Sequence, residues 1–154
     1  MTDAFMPRLP RRETVDRVPR PVDGEPGRFS VDATWGVIQP LHLPGGVVTV
    51  GELEVIEHLR HGGRVVDCRH QEYVDEGTIP TATAVPHERI VADLAPPDGP
   101  LPIVLFCNGP QCTATPKAVA ALLDAGWSPA TLRYYRGGMH DWVTLGLPVA
   151  RADG

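Results

Sequence analysis

Two kinds of segment follow one another along the chain. The first are short runs that are apolar throughout or that alternate apolar and polar residues, and the second are stretches whose apolar residues recur every three or four positions. Runs of the first kind are typical of strands: residues 64–67, 81–85, 103–106 and 132–135. Stretches of the second kind are typical of helices: residues 50–60, 71–76, 87–94, 116–125 and 139–145. Because the connections between successive strands are too long for hairpins, the pattern predicts an α/β fold, with a mainly parallel sheet and helices on both faces.

The N-terminal part of the chain departs from this pattern. Residues 1–30 are rich in proline and arginine and carry few large apolar side chains, so we expect a flexible arm that cannot offset its ordering entropy. Residues 31–48 contain Trp35 and several aliphatic side chains between prolines, and we expect them to pack on the core as an extended edge piece. The sequence therefore predicts one domain over residues 31–150, preceded by the arm.

Two helix starts carry local signals. Thr49 and Glu52 have the spacing of a capping box, in which Thr49 caps the first helix. Pro116 suits the first position of a later helix, because a residue there needs no backbone N–H. We therefore expect one helix to begin directly after Thr49 and another to begin at Pro116.

The charge balance narrows the classes of partner. With 14 basic and 19 acidic side chains the formal net charge is −5, which argues against a nucleic-acid or anionic-membrane surface. The apolar stretches are shorter than the ~18 residues of a membrane span, and the first residues lack a signal-peptide core. We therefore expect a cytoplasmic protein with no membrane or nucleic-acid partner, whose three cysteines are thiols.

Candidate chemistry centres on Cys107, which directly follows the apolar run of residues 103–106. A loop containing Gly109, Pro110 and Cys112 leads from it into the next predicted helix. A thiol at the end of a strand and beside a helix N-terminus is well placed to react, because the thiolate is the nucleophile and the helix dipole favours an anion. The spacing from Cys107 to Cys112 is loose for zinc and no second pair follows, so we expect no metal ion.

Five short motifs occur in the order and spacing of a rhodanese homology domain. They are Asp67-Cys-Arg69, residues 76–82, the strand and loop around Cys107, residues 135–142 and residues 146–149. The chain therefore resembles a single rhodanese-like domain over residues 47–149. The resemblance implies a five-stranded, mainly parallel central sheet. It also implies a cysteine that takes up a sulfane sulfur as a persulfide and hands it to a nucleophile.

The resemblance assigns Cys107 as the catalytic, sulfur-accepting residue. It assigns the residues that follow to an anion-binding cradle: Asn108, Gly109, Pro110, Gln111, Cys112, Thr113, Ala114 and Thr115. This loop is similar to a Cys-x-Gly-Pro-x-Cys subgroup; it is longer than the common family loop and contains no arginine. Related phosphatase and arsenate reductase domains use a wider cradle for a tetrahedral oxyanion. We expect the loop N–H groups to lower the pKa of the Cys107 thiol and to stabilise its persulfide.

Other residues near the loop receive supporting roles. We expect Asp67 and Arg69 to form an ion pair that fixes the loops at the active edge of the sheet. Cys68 is interpreted as a structural thiol. Cys112 is interpreted either as a resolving thiol that forms a disulfide with Cys107, or as a partly buried loop thiol. No functional role is assigned to the histidines His58, His61, His70, His87 and His140.

The predicted function is that of a sulfurtransferase of the rhodanese, or thiosulfate sulfurtransferase, type. A Cys107 persulfide would move a sulfane sulfur from thiosulfate or a persulfide donor to a thiol or cyanide acceptor, without a cofactor. The expected partners are these small donors and acceptors, with a protein thiol as a further acceptor. The alternatives are a non-catalytic, redox-sensing regulatory module and, on loop length, a phosphatase or arsenate reductase.

Overall fold

The structure, a computed structural model, describes residues 20–30 and 37–151. Most of the predicted arm, residues 1–19, and Trp35 lie outside the described residues. The described residues before the central sheet form a small antiparallel sheet of three strands: β1 Arg20–Pro21, β2 Phe29–Ser30 and β3 Val37–Ile38. A turn between the first two strands is closed by a hydrogen bond from Val22 N to Arg28 O, 3.0 Å long. Among the described residues, no helix is long and apolar enough to cross a membrane.

The central sheet has five strands, all parallel, in the order β4-β8-β7-β5-β6. They are β4 Val48–Val50, β5 Val65–Asp67, β6 Thr83–Ala84, β7 Ile103–Phe106 and β8 Leu132–Tyr135. The predicted parallel α/β sheet is thereby confirmed. β7 lies in the middle of the sheet and all of its residues are buried, as expected for the most apolar run in the chain.

Helices cover both faces of this sheet. They are α1 Glu52–Arg60, α2 Gln71–Glu76, α3 Ile90–Asp93, α4 Ala114–Asp124 and α5 Gly138–Thr144, with 3-10 turns at His87–Arg89 and Pro129–Thr131. The core forms two clusters because successive strand residues point to opposite faces. Leu105 and Cys107 lie in the cluster with Leu122 of α4, whereas Phe106 lies in the cluster with Trp142 of α5.

The predicted start of the first helix is wrong. Thr49 lies in β4, where its hydroxyl donates to Leu41 O at 2.5 Å, and α1 is capped by Gly51. Glu54 Oε1 accepts a hydrogen bond from Gly51 N at 2.5 Å, so the carboxylate half of a capping box is present two residues further along. Thr49 therefore pairs with β8 as part of β4, although the local pattern had assigned it to the start of the helix.

The helix after the cysteine loop also begins earlier than predicted. α4 starts at Ala114 with Thr113 as its N-cap, so Pro116 is the third helical residue instead of the first. The N–H groups of the first turn have no intrahelical acceptor, and a proline at this position costs no hydrogen bond. This earlier start places the N-terminal turn of α4 directly beside Cys107.

A buried ion pair closes the end of β5. Asp67 is 0% exposed, and Arg69 reaches both of its carboxylate oxygens, with Nε–Oδ1 at 3.0 Å and Nη2–Oδ2 at 2.8 Å. Thr78 Oγ1 donates to Asp67 Oδ2 at 2.8 Å, and Arg69 Nη2 also donates to Gly77 O at 2.7 Å. The pair therefore ties the end of the strand to the chain that leaves α2.

We expect Arg69→Ala to lower the free energy of unfolding by about 3 kcal/mol, because it leaves the Asp67 carboxylate buried without its cation. Urea denaturation would measure the loss. Arg60→Ala is the matched control, since its pair with Glu57 spans 3.6 Å between side chains that are 73% and 59% exposed. A loss of about 1 kcal/mol or less is expected there. Equal losses in the two variants would contradict a stabilising role for the buried pair.

Candidate active site

Cys107 directly follows β7 and is 2% exposed. Its Sγ accepts a hydrogen bond from the backbone N–H of Thr115, 3.4 Å away, in the first turn of α4. The sulfur therefore lies where the positive end of the helix dipole is closest. Strand and helix thus bring one backbone N–H to the Cys107 thiol.

The loop after Cys107 folds back on itself. A turn closed by Cys112 N and Gly109 O, 3.0 Å apart, returns the chain towards the strand end. Cys107 Sγ donates a hydrogen bond to the backbone oxygen of Cys112, 3.8 Å away, and the two thiols are close enough to shift each other's pKa. Both are free thiols. The fold therefore brings together the two cysteines that were candidates for a resolving pair.

The predicted cradle residues differ in their access to solvent. Within it, Gly109 and Thr115 are buried like Cys107, and Asn108 is exposed. The remaining positions are partly buried: Pro110, Gln111, Cys112, Thr113 and Ala114. The open part of the cradle is therefore the rim around Asn108 and Cys112, with Cys107 at its floor.

Helix α5 holds the first half of the loop. Met139 N donates to Cys107 O at 3.0 Å, and His140 N donates to Asn108 O at 2.8 Å. This approach requires a glycine at position 138, because a Cβ on Gly138 would lie 2.5 Å from Cys107 O. Gly138 also has a φ of +59°, which L side chains seldom adopt. The start of α5 is therefore shaped by the loop that it binds.

Gln39 supports the tip of the loop, a role that sequence reasoning missed. Its backbone N donates to Pro110 O at 2.7 Å, and its own carbonyl accepts from Arg136 Nη2, also at 2.7 Å. Gln39 is buried, with only 3% of its surface exposed to solvent. Residues 37–40 therefore pack against the loop that follows Cys107. This contact joins distant parts of the chain, so no local sequence pattern predicts it.

The thiol pKa values differ from the sequence expectation. Burial raises the pKa of Cys107, so the prediction that the helix N-terminus lowers it is wrong in this state. The hydrogen bond from Cys107 lowers the pKa of Cys112 to about 6, with help from the backbone N–H groups of Ala114 and Asn108. Burial raises the pKa of Cys68 to about 12. Cys112 is therefore the more acidic thiol of the pair and Cys107 the less acidic one.

A cavity of about 290 Å³ leads to the more acidic member of the pair. Its lining consists of Cys68, Arg69, His70, Tyr73, His87, Asn108, Cys112 and Ala114. A molecule that enters this cavity meets Cys112 at the wall, whereas Cys107 lies behind the lining. The histidines that the sequence left without a role therefore face the same space as the loop thiol.

Among the described residues, the arginines near the loop are bound to other groups. Arg69 pairs with Asp67, Arg136 donates to the carbonyl of Gln39, and Arg133 donates to the carbonyls of Ala130 and Leu132. Positive polarity around the thiols comes instead from backbone N–H groups and from His87, whose charge lowers the pKa of Cys112. The cradle is suited to one soft, singly charged sulfur better than to a dianion.

Two buried hydroxyl groups near the thiols have no hydrogen-bond partner of normal geometry among the described residues: Thr115 Oγ1 and Tyr134 OH. The Thr115 hydroxyl lies close enough to Cys68 and Cys107 to lower the pKa of each. Burial raises the pKa of Tyr134, so its phenol stays protonated and keeps a hydrogen to donate.

A family model described as the rhodanese-like domain matches residues 52–145. The HTH-type transcriptional regulator Rv0324 of Mycobacterium tuberculosis is 36% identical over 120 residues, which are 77% of this chain and 50% of that protein. The chain thus spans about half the length of this relative.

Solved structures share the fold. A thiosulfate sulfurtransferase from Pseudomonas aeruginosa has a TM-score of 0.54 at 23% identity, covering 68% of this chain and 20% of that one. The human single-domain sulfurtransferase TSTD1 has a TM-score of 0.52 at 24% identity, covering 64% of this chain and 97% of that one.

We expect alkylation of Cys112 by iodoacetamide to follow an apparent pKa of about 6, and Cys107→Ala to move it towards the ordinary thiol value of 9.0. The shift follows because the hydrogen bond from Cys107 is the largest cause of the low value. Rates measured against pH, with peptide mass spectrometry to locate the label, would check this. Cys68→Ala is the control that should leave the midpoint in place. Faster labelling of Cys107 than of Cys112 at pH 7 would contradict the assignment of Cys112 as the more acidic thiol.

Proposed function

This chain belongs to the rhodanese-like domain family, and on that premise we propose that it is a sulfurtransferase with Cys107 as sulfur carrier and Cys112 as its proton and redox partner. The observation that carries the proposal is the pair itself. A buried thiol at the end of β7 accepts the Thr115 N–H and lies beside a thiol of low pKa. Such a pair supplies both a nucleophile and a base.

Sulfur uptake begins with a proton transfer within the pair. Cys112, as thiolate, accepts the proton of the neighbouring Cys107 thiol. The Cys107 thiolate then attacks the outer sulfur of a persulfide donor, R–S–SH. A Cys107–S bond forms, the donor S–S bond breaks, and the proton on Cys112 leaves with the departing thiolate as R–SH. The net result is Cys107–S–SH and R–SH, with no net oxidation or reduction over the donor and the thiol pair together.

Local donors stabilise the carried sulfur. The Thr115 N–H already binds Cys107 Sγ, and the Thr115 hydroxyl has a proton free for a second sulfur at the same place. A hydrogen bond to a charged acceptor contributes about 1.5–3 kcal/mol. The persulfide would thus offer the Thr115 hydroxyl a stronger, negatively charged acceptor than a neutral thiol.

The persulfide has two routes of discharge. An external thiolate that attacks the outer sulfur takes it away as a new persulfide and leaves Cys107 as thiolate. Alternatively, Cys112 attacks Sγ of Cys107, so that a Cys107–Cys112 disulfide forms and HS⁻ leaves. In the second route two thiols are oxidised and the sulfane sulfur is reduced to sulfide, and an external thiol must reduce the disulfide before the next cycle.

A persulfide fits the site as donor better than thiosulfate does. Thiosulfate is a dianion, for which a guanidinium fork is the usual partner, and the nearby arginines Arg69, Arg133 and Arg136 donate to other groups. A persulfide can enter as neutral R–S–SH beside the negative charge on Cys112. The same lack of a guanidinium, and of an assigned general acid, argues against phosphoryl transfer.

A second candidate function is a redox-sensing regulatory module. It is favoured by the thiol pair and by the relative from Mycobacterium tuberculosis, which is named as a transcriptional regulator. In that case a persulfide would drive the pair to its disulfide and the signal would be the altered loop. The two candidates differ in turnover: a carrier passes many sulfur atoms to a thiol acceptor, whereas a sensor stops at the disulfide.

Incubation with a low-molecular-weight persulfide should add one sulfur atom, about 32 Da, to Cys107, and intact-mass and peptide spectra would locate it. Cys107→Ala should abolish the gain. Cys112→Ala should retain the sulfur and block its release as sulfide, because the internal attacking thiol is gone.

Thiosulfate in a parallel arm is expected to load more slowly. Sulfur that appears on Cys112 and never on Cys107 would overturn the assignment of the carrier. Loading without repeated transfer to a thiol acceptor would favour the sensor.

Thr115→Val should slow sulfur loading roughly tenfold to a hundredfold, since it removes one hydrogen bond to the charged sulfur. Thr115→Ser keeps the hydroxyl and should restore the rate. Stability should fall little in the valine variant, because the lost hydroxyl is an unpaired buried group. Loading kinetics and thermal unfolding would be measured on both variants. Equal loading rates in the two variants would exclude the Thr115 hydroxyl from the reaction.

A further inference from the structure

Three side chains outside the loop converge on one point at the cavity. His70 Nε2 lies 3.1 and 2.9 Å from the two carboxylate oxygens of Glu88, and His87 Nε2 lies 3.4 Å from Glu88 Oε1. One ligand atom from each residue lies within 4.8 Å of the others. The imidazole rings are stacked, with centroids 6.3 Å apart and an angle of 20° between their planes. Both histidines thus turn the same ring nitrogen towards one carboxylate.

The fold fixes the backbones of all three residues. His70 is the N-cap of α2, and its carbonyl accepts the N–H of Tyr73 at 3.0 Å. His87 follows Pro86 and donates its N–H to Cys68 O at 3.2 Å. Since Cys68 follows β5 directly, both histidines are anchored to the same strand end. The fold therefore brings the two histidine backbones to the same edge of the sheet, from which their side chains reach Glu88.

The set of donors fits a borderline divalent cation. Two neutral imidazoles and a carboxylate, with an open fourth position, are the usual ligands of zinc. Zinc ligands in a tetrahedron lie about 3.4 Å apart, given metal–ligand bonds near 2.1 Å. The two histidine–carboxylate distances are close to that, and all three ligand atoms lie within 4.8 Å of one another. The side chains have room to adjust, since His70 and Glu88 are each 52% exposed and His87 is 24% exposed.

We propose that His70, His87 and Glu88 form a binding site for a divalent transition metal, of which zinc is the best match, on the wall of the cavity that holds Cys112. In the metal-free state the protein fills this position with imidazole–carboxylate contacts. Metal binding displaces the protons that those contacts share. Because both histidines and Cys112 line one cavity, an ion here stands beside the path to the thiol pair.

The site has a defined functional consequence. A cation on the cavity wall adds positive charge near the Cys112 thiolate and occupies part of the entrance. Sulfur donors and alkylating reagents would then reach the pair more slowly while the metal is bound. The inference does not depend on sulfur transfer, since the metal and the alkylation of Cys112 are both measurable without a sulfur donor.

Zinc titration of the full chain, kept reduced with a phosphine, should show one bound ion by calorimetry or by competition with a chromophoric chelator. His70→Ala and Glu88→Ala should each weaken binding by about tenfold or more, because each removes one of three protein ligands. His61→Ala is the matched control: its ring lies 3.5 Å from Glu57 on an exposed helix surface away from the cavity, and zinc affinity should not change.

Cys112→Ser separates this site from binding by the thiols. Retained zinc affinity in Cys112→Ser, together with loss in His70→Ala, supports the proposal. The reverse pattern, or equal affinity in wild type, His70→Ala and Glu88→Ala, overturns it, as does an absence of binding to wild type at micromolar zinc. Cobalt substitution adds a spectroscopic test, since a cobalt–thiolate charge-transfer band in wild type would place the ion on cysteine instead of on the histidines.

Discussion

The hydrogen bonding of the backbone that leaves β7 determines the geometry of the whole site. This strand is buried on both faces, so the backbone that leaves it at Cys107 must find hydrogen-bond partners inside the protein. The N–H groups at the start of α5 supply them, and they come so close that Gly138 has no room for a side chain. With its first carbonyls held in this way, the loop turns at Gly109 and returns Cys112 to Cys107. Packing at a strand end thus creates the thiol pair.

Burial and hydrogen bonding then decide where the charge lies. A helix N-terminus contributes roughly 0.3–1 kcal/mol to an anion, whereas desolvation shifts the pKa of a fully buried group by as much as about 3–5 units. Burial therefore dominates at Cys107, although its sulfur accepts the Thr115 N–H. Cys112 is less buried, and the neighbouring Cys107 thiol lowers its pKa, so Cys112 is the more acidic of the two. The sequence indicates the helix N-terminus beside Cys107, but it does not show how deeply the end of β7 is buried.

Local patterns were sufficient for the parts of the fold that carry their own signal. The apolar runs of β5, β7 and β8 and the position of Cys107 were predicted from consecutive residues. β4 was missed because it is an edge strand with an exposed Val48 and overlaps a capping pattern at Thr49. The contact of Gln39 with Pro110 joins residues far apart in the chain, and no periodicity encodes it.

The pairing of His70 with His87 was unpredictable for the same reason. Each histidine is unremarkable in its own segment, and only the parallel pairing of β5 with β6 brings those segments together. The sequence can indicate which residues are able to bind a metal or carry a charge. It cannot indicate that two turns at neighbouring strand ends bring three such residues to one point.

Charge links the thiol pair to the histidine cluster. Without a cation in the cavity, the Cys112 thiolate repels a dianionic donor, and the arginines that would offset this are bound elsewhere. A neutral persulfide avoids that repulsion. A divalent ion on His70, His87 and Glu88 would weaken that repulsion, but it would also occupy part of the entrance, so that every donor would reach the pair more slowly. Donor selectivity and metal occupancy are therefore coupled, and sulfur loading measured with a chelator and with zinc compares two electrostatically different sites.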